Sequence, residues 1–160
     1  MIRIETFAPE HTEGVCALIL GIQREEYGIA ITRADQPDLA AIPEFYQRGA
    51  GQFWVALDDD AVVGTIGLRD LGDGEAALRK MFVAARWRGA EHGVAKRLLE
   101  TLLGWSRTHG VRRVYLGTTA QFVAAHRFYE KHGFTEIAAA ELPARFPVMK
   151  VDTRFYRISW

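Results

Sequence analysis

Over residues 78–99 the chain reads LRKMFVAARWRGAEHGVAKRLL. An apolar, strand-like run ends at Val83, a loop carrying Arg88, Gly89 and Gly93 follows, and an amphipathic helix then begins. A loop of small residues that opens onto a helix N-terminus is a physical device for holding a pyrophosphate. The helix start leaves about four backbone N–H groups without intrahelical partners and carries roughly half a positive charge. Gly89 and Gly93 permit close backbone approach, and Arg88 can donate charge-assisted hydrogen bonds to phosphate oxygens. The plainer reading of the same residues is a strand–turn–helix corner whose glycines serve only the bend. Local spacing leaves both readings open.

The elements that must position this loop follow from hydrophobic periodicity. Residues 2–7 alternate as a strand, and Val15, Leu18, Ile19 and Ile22 share one face of a helix that starts near Pro9. Residues 27–37 are irregular. Leu39, Ile42 and Phe45 or Tyr46 mark a second helix over 37–46, stopped by Gly49 and Gly51. Strands are expected over 53–57 and 62–68, around the Asp58-Asp59-Asp60 turn, and over 76–83 after Gly72-Asp73-Gly74. Val94, Leu98, Leu99, Leu102 and Leu103 form the stripe of a helix over 93–109 that Gly110 ends. A strand over 111–117, a helix over 122–132 closed by Gly133, and strands over 134–138 and 148–159 complete the chain. The order β-α-α-β-β-β-α-β-α-β-β predicts an α/β (α+β) protein with a mixed rather than purely parallel sheet.

Composition narrows the function classes. With 160 residues, 49% hydrophobic and 25% charged, the chain is expected to form one domain over 1–160 with a sizeable core. No apolar run approaches the roughly 20 residues of a membrane helix, and Met1-Ile2-Arg3-Ile4-Glu5 has no signal-peptide pattern, so a cytoplasmic location is expected. Cys16 is the only cysteine, which excludes an internal disulfide and a cysteine zinc site; its apolar neighbours make it core filler. A net charge of zero argues against a general nucleic-acid binder. Residues 1–75 carry a net −9, residues 79–113 a net +7 and residues 114–160 a net +2. The basic middle suits an anionic ligand and the acidic first half a cationic one, unless these charges are merely solvated faces.

Three segments in order resemble a known family. Residues 81–89, MFVAARWRG, are similar to the strand exit hydrophobic-x-V-x-P-x-aromatic-R-G of the GNAT superfamily of acyl-CoA-dependent N-acyltransferases. Residues 93–99, GVAKRLL, resemble the start of its cofactor helix, and residues 125–134, AHRFYEKHGF, its A-x-x-x-Y-E-K-x-G-F signature. The order of elements agrees over nearly the whole chain. There are departures. The family loop Gln/Arg-x-x-Gly-x-Gly/Ala fits Arg88-Gly89 and His92-Gly93-Val94-Ala95 only if Ala90-Glu91 is a two-residue insertion. Glu91 then stands beside the phosphates unless it points to solvent. Ala85 occupies the usual proline position and Phe122 that of a common asparagine.

The resemblance implies a mixed, mainly antiparallel central sheet of about six to seven strands flanked by about four helices. It implies acetyl-CoA as acyl donor, without a metal, and transfer to a primary amine by direct attack on the thioester. Cofactor contacts are expected from Met81, Phe82, Val83, Arg88, Gly89, Ala90, Glu91, His92, Gly93, Val94 and Ala95, with the pantetheine along residues 78–83. A backbone N–H near Phe82 or Val83 would hold the thioester oxygen. Tyr129 falls at the family tyrosine that protonates the departing thiolate, and His126, three residues earlier on the same helix face, is expected to touch cofactor or relay a proton.

The base is less marked. Ala77 stands where related enzymes carry a strand glutamate, which moves the expectation to Glu75 on the same strand face, with Glu25, Glu26 and Asp35 as further candidates. Arg24, Tyr27 and Gln36 are expected at the acceptor pocket. Residues 142–149, rich in proline and apolar side chains, wall that pocket, form a dimer contact or simply pack. The expected partner is a small-molecule or protein amine, with a homodimer among the assemblies allowed and neither nucleic acid nor membrane involved. The altered loop and missing glutamate motivate two other readings, a non-catalytic acyl-CoA-binding sensor or partner-binding module and an unrelated nucleotide-binding domain.

Overall fold

The structure is a computed structural model that describes residues 1–120 and 122–160. Strand β1 (Ile2–Thr6) leads through a 3-10 turn (Pro9–His11) into helix α1 (Thr12–Gly21), which runs on as a π-helical turn (Ile22–Glu26). Helix α2 (Ile42–Phe45) is followed by strands β2 (Gln52–Asp58), β3 (Ala61–Gly72) and β4 (Glu75–Val83). Helix α3 (Val94–Thr108), strand β5 (Arg113–Thr118), helix α4 (Val123–Lys131), strand β6 (Thr135–Ile137) and strand β7 (Arg154–Ser159) complete the order. One sheet of seven strands runs β1-β2-β3-β4-β5-β7-β6, with β4 and β5 parallel and every other neighbouring pair antiparallel.

Alternation on the central strands separates two cores. Trp54 and Ala56 of β2 face Leu98, Leu99 and Leu102 of α3, while Phe53, Val55 and Leu57 face Val15, Cys16 and Ile19 of α1. Helices therefore cover both faces, which is why β2 reads as a continuous apolar run rather than an alternating one. Cys16 is buried in the second of these cores.

Two elements differ from the periodicity. The helix expected over 37–46 is broken into a 3-10 turn (Pro37–Ala40) and α2, with Ala41 between them in a non-helical conformation. Pro43 has no N–H to donate and is tolerated only in a first turn, so the helix restarts at Ile42. The last strand is six residues, not the twelve of 148–159. Its missing half is a turn, closed where the Met149 N–H donates to Asp152 Oδ2 at 2.9 Å and the Asp152 N–H donates to Met149 O at 3.0 Å.

The feature that positions the site is a divergence. β4 pairs with β5 only through Glu75↔Arg113, Ala76↔Val114 and Ala77↔Tyr115. Beyond Ala77, β5 stays with β7 to its end while β4 bends away. A bulge lies just past this point. Thr65 pairs with Phe82 but Gly67 with Arg79, leaving Lys80 and Met81 opposite Ile66 alone. Lys80 takes up the extra length at φ +56°, and the Thr65 hydroxyl donates to its carbonyl at 2.7 Å.

Candidate functional site

The splay of β4 and β5 opens a cleft. Its walls are Leu78 to Phe82 of β4, Leu116 to Thr119 at the end of β5, Ala125 and Tyr129 of α4, and Phe146, Pro147, Met149, Val151 and Asp152 from the loop before β7. Residues 142–149 thus contribute Phe146, Pro147 and Met149 to the cleft wall. A second cavity shares Met81, Phe82, Phe122 and Ala125 with the first and continues past Val83 to Arg88. The two form one groove along β4 toward the start of α3. Along it, among the described residues, the β5-facing edge of β4 has no strand partner after Ala77, so its backbone donors and acceptors, apart from the Val83 carbonyl, are available to an extended ligand.

The groove ends at the expected phosphate loop. Gly93, the N-cap of α3, sits at φ +66° and ψ 14°, and among the described residues no side chain caps the helix. A left-handed φ is readily available to glycine, and the first N–H groups of α3 remain free of a side-chain partner. Ala90 and Glu91 form a turn, closed where the His92 and Gly93 N–H groups donate to Gly89 O at 3.2 and 3.4 Å. The Glu91 side chain is 77% exposed and lies 3.9 Å from His92 Nε2, so it points to solvent. Arg88 donates through Nε to Val83 O at 2.8 Å, and its two terminal nitrogens donate to Glu26 at 2.6 and 2.9 Å.

Tyr129 lies in the cleft wall, and its hydroxyl makes no hydrogen bond among the described residues. Burial pushes its phenol well above the ordinary value, so it stays a neutral donor. His126 is buried and lines neither cavity. Its Nε2 lies 2.8 Å from Thr119 O, an atom that only accepts, so Nε2 carries the proton and Nδ1 accepts from Arg154 at 2.9 Å. His126 therefore pins the β5–α4 loop. Thr119 Oγ1 is buried in the cleft wall without a partner among the described residues.

The remaining expected residues separate. Glu75 stands at the paired end of β4, where Arg113 Nε and the Tyr115 hydroxyl donate to it at 3.2 and 3.1 Å. It lies roughly 20 Å along the strand from Phe82 and does not line the cleft. Tyr27 lines the second cavity and meets Phe122 edge-on, their ring centres 4.5 Å apart. Gln36 is buried behind the cleft in a reciprocal amide pair with Gln23 at 2.9 and 3.1 Å. Arg24 is exposed on the π-helical turn after α1, in a depression with Ala17, Leu20 and Glu25. Glu26 is held by Arg88, and Asp35 accepts from the Thr32 N–H and hydroxyl.

Three charged residues of the cleft wall, Arg79, Lys80 and Asp152, escaped the sequence reading. None belongs to the acidic first half of the chain, which contributes only Gln23, Ile29 and Ile31 to this cleft. The acidity of residues 1–75 therefore does not become a cleft charge. Lys80 Nζ donates to Gln36 Oε1 and lies 3.8 Å from Asp38, which also accepts from the Tyr46 hydroxyl at 2.6 Å. Burial pulls the Lys80 ammonium down to about 8, against the opposing pull of Asp38. A lysine inside an apolar strand run was the one signal available in the sequence.

The GNAT acetyltransferase family model matches residues 17–134. Human N-acetylaspartate synthetase is 37% identical over 134 residues, covering 79% of this chain and 43% of that protein. The chain thus spans less than half the length of the curated relative it matches. A GNAT acetyltransferase from Staphylococcus aureus Mu50 superposes with a TM-score of 0.95 at 38% identity, covering 99% of both chains. An N-acetyltransferase from Thermoplasma acidophilum, solved in complex with coenzyme A, superposes with a TM-score of 0.74 at 15% identity over 100% of this chain and 99% of that one, a likeness of fold.

Proposed function

The chain belongs to the GNAT acetyltransferase family, and from that premise we propose that it transfers an acetyl group from acetyl-CoA to a primary amine within the cleft. The observation that carries this reading is the free edge of β4 beyond Ala77, which leads from the cleft wall holding Tyr129 to the uncapped start of α3. The residues present fit the donor: an unpaired strand edge for an extended amide chain, the orphaned Thr119 Oγ1, and helix N–H groups with Arg88 for the pyrophosphate.

Acetyl-CoA supplies an activated thioester. The chain's own work is then to align, polarise and move protons. Met81, Phe82 and Val83 carry the free edge, and a backbone N–H at Phe82 or Val83 stabilises charge developing on the thioester oxygen. Tyr129, kept neutral by burial, donates a proton to the departing sulfur. Gly89, Ala90, Glu91 and His92 shape the turn whose backbone, with Gly93, Val94 and Ala95, faces the phosphates. Glu75 fixes the β4–β5 junction, and His126 holds the loop that presents Thr119.

The test is calorimetric titration with acetyl-CoA, CoA and ATP, followed by thiol release with a panel of amines. Micromolar binding of acetyl-CoA and CoA, weak binding of ATP, and amine-dependent thiol release are expected. Tight acetyl-CoA binding with no turnover on any amine would instead identify an acyl-CoA sensor, and preference for ATP a nucleotide-binding domain.

A further inference from the structure

The charged groups of the cleft are not equally committed. Lys80 is spoken for by Gln36 and Asp38. Arg79 is different. Its partly buried guanidinium lines the cleft, lies 5.3 Å from the centre of the Phe45 ring, makes no ion pair among the described residues, and donates only to the thioether of Met149 at 3.4 Å. A planar fork of five donors facing a thioether is poorly satisfied, and its natural partner is a carboxylate taken bidentately. Asp152 is the matching opposite. It lines the same cleft, accepts the Met149 N–H at 2.9 Å, and ion-pairs with no cation among the described residues. Met149 joins the two, touching Arg79 with its sulfur and Asp152 with its backbone. A cation and an anion without ion-pair partners among the described residues thus flank Met149, on a wall that also holds Phe146, Pro147 and Val151.

We propose that this end of the cleft binds the zwitterionic head of an α-amino acid, its carboxylate on Arg79 and its ammonium on Asp152. For turnover the inference rests on the acetyl-transfer reading; for binding it does not. In the step, Asp152 takes one proton from the ammonium and passes it to water, the nitrogen lone pair forms the N–C bond, and the nitrogen releases its second proton to water as the C–S bond breaks. Tyr129 gives its proton to the leaving sulfur and is reprotonated from water. Burial raises the proton affinity of Asp152, which suits it to this transfer. An amine or amide without a carboxylate leaves Arg79 desolvated and unpaired, and is disfavoured.

The experiment compares L-alanine and L-aspartate with alaninamide and ethylamine as acceptors, by thiol release, and titrates the two amino acids calorimetrically into CoA-saturated protein. The free amino acids are expected to exceed the carboxylate-free amines at least tenfold in kcat/KM. Arg79→Met is expected to abolish that preference by raising the amino-acid KM at least tenfold, with the acetyl-CoA KM within twofold of wild type; Arg79→Lys recovers part of the loss. Equal rates for amino acid and amide, or an equal loss on both in Arg79→Met, overturn the inference. Should no acceptor be turned over, amino-acid binding that disappears in Arg79→Met upholds the site while refuting acetyl transfer, and no binding by wild type overturns the site itself. Asp152→Asn, which keeps the turn at Met149, serves if Arg79→Met fails to fold and is expected to weaken amino-acid binding likewise.

Discussion

Arg88 is asked to hold a phosphate while a carboxylate already holds it, and the competition is measurable. Glu26 receives both terminal nitrogens of Arg88 at 2.6 and 2.9 Å, and the two side chains are 39% and 34% exposed. An ion pair this open is worth about 0.2–1 kcal/mol. The outer N–H groups of Arg88 remain for a phosphate, yet Glu26 repels that phosphate whether or not it lets go. Glu26→Gln removes the competitor and is expected to tighten acetyl-CoA binding by that amount, about 1.4-fold to fivefold. Arg88→Ala removes charge-assisted bonds to phosphate worth about 1.5–3 kcal/mol. Offset by the pair it no longer breaks, the net loss is about 0.5–3 kcal/mol, a twofold to roughly hundredfold rise in Kd. The assay is calorimetric titration of the four proteins of the double-mutant cycle at low salt, repeated at high salt, where the Glu26 effect shrinks by screening. In the Arg88→Ala background only the repulsion between Glu26 and the phosphate is left to relieve, so Glu26→Gln should tighten binding by less. Weaker or unchanged binding in Glu26→Gln at low salt would refute the reasoning, because Arg88 would then not reach the phosphates.

Three further outcomes test other parts of the site. Tyr129→Phe is expected to lower kcat by about 10²–10⁴ while leaving acetyl-CoA affinity and stability nearly intact, since the hydroxyl has no partner among the described residues; an unchanged kcat would remove Tyr129 from the chemistry. The ammonium of Lys80, lowered to about 8 from 10.5 by burial, makes the unfolded chain bind more protons than the native state between those values. Wild-type stability should therefore rise relative to Lys80→Met as pH increases from 8 to 10.5, by up to about 3 kcal/mol, in denaturant titrations; a flat difference would mean the lysine is not buried in solution. His126→Ala strips a buried donor from Thr119 O and an acceptor from Arg154, and is expected to cost about 1–3 kcal/mol of stability, with a midpoint unchanged in urea counting against the pinning role.

Much of this protein was legible in its residues because the signals were local. Alternation and heptad-like stripes are set by the geometry of one strand or one helix, so the order of all seven strands and of α1, α3 and α4 followed from the chain alone. The glycines at 89 and 93 and the strand exit before them marked the loop that leads into α3 for the same reason. Where neighbours a few residues away intervened, the reading slipped: Pro43 broke the second helix, and the Asp152 carboxylate turned residues 149–152 out of the last strand.

What no run of residues could announce was which side chains share a space. Charge summed along residues 1–75 pointed to a cationic acceptor, yet the cleft takes its charges from Arg79, Lys80 and Asp152. Glu75 looked as suitable as any acid until the register paired it with Arg113 at the closed end of β4. His126 and Tyr129 share a helix face, but a loop carbonyl claims the first and the cleft keeps the second. Propensity and periodicity act within one element, so the residues alone set the elements, their order and the glycine-bearing loop before α3. The walls of the cleft and the partners of its charges came from the assembled fold. Those depend on where β4 parts from β5, just before a bulge whose carbonyl takes a hydroxyl from the neighbouring strand, and on a turn contributed by a distant part of the chain.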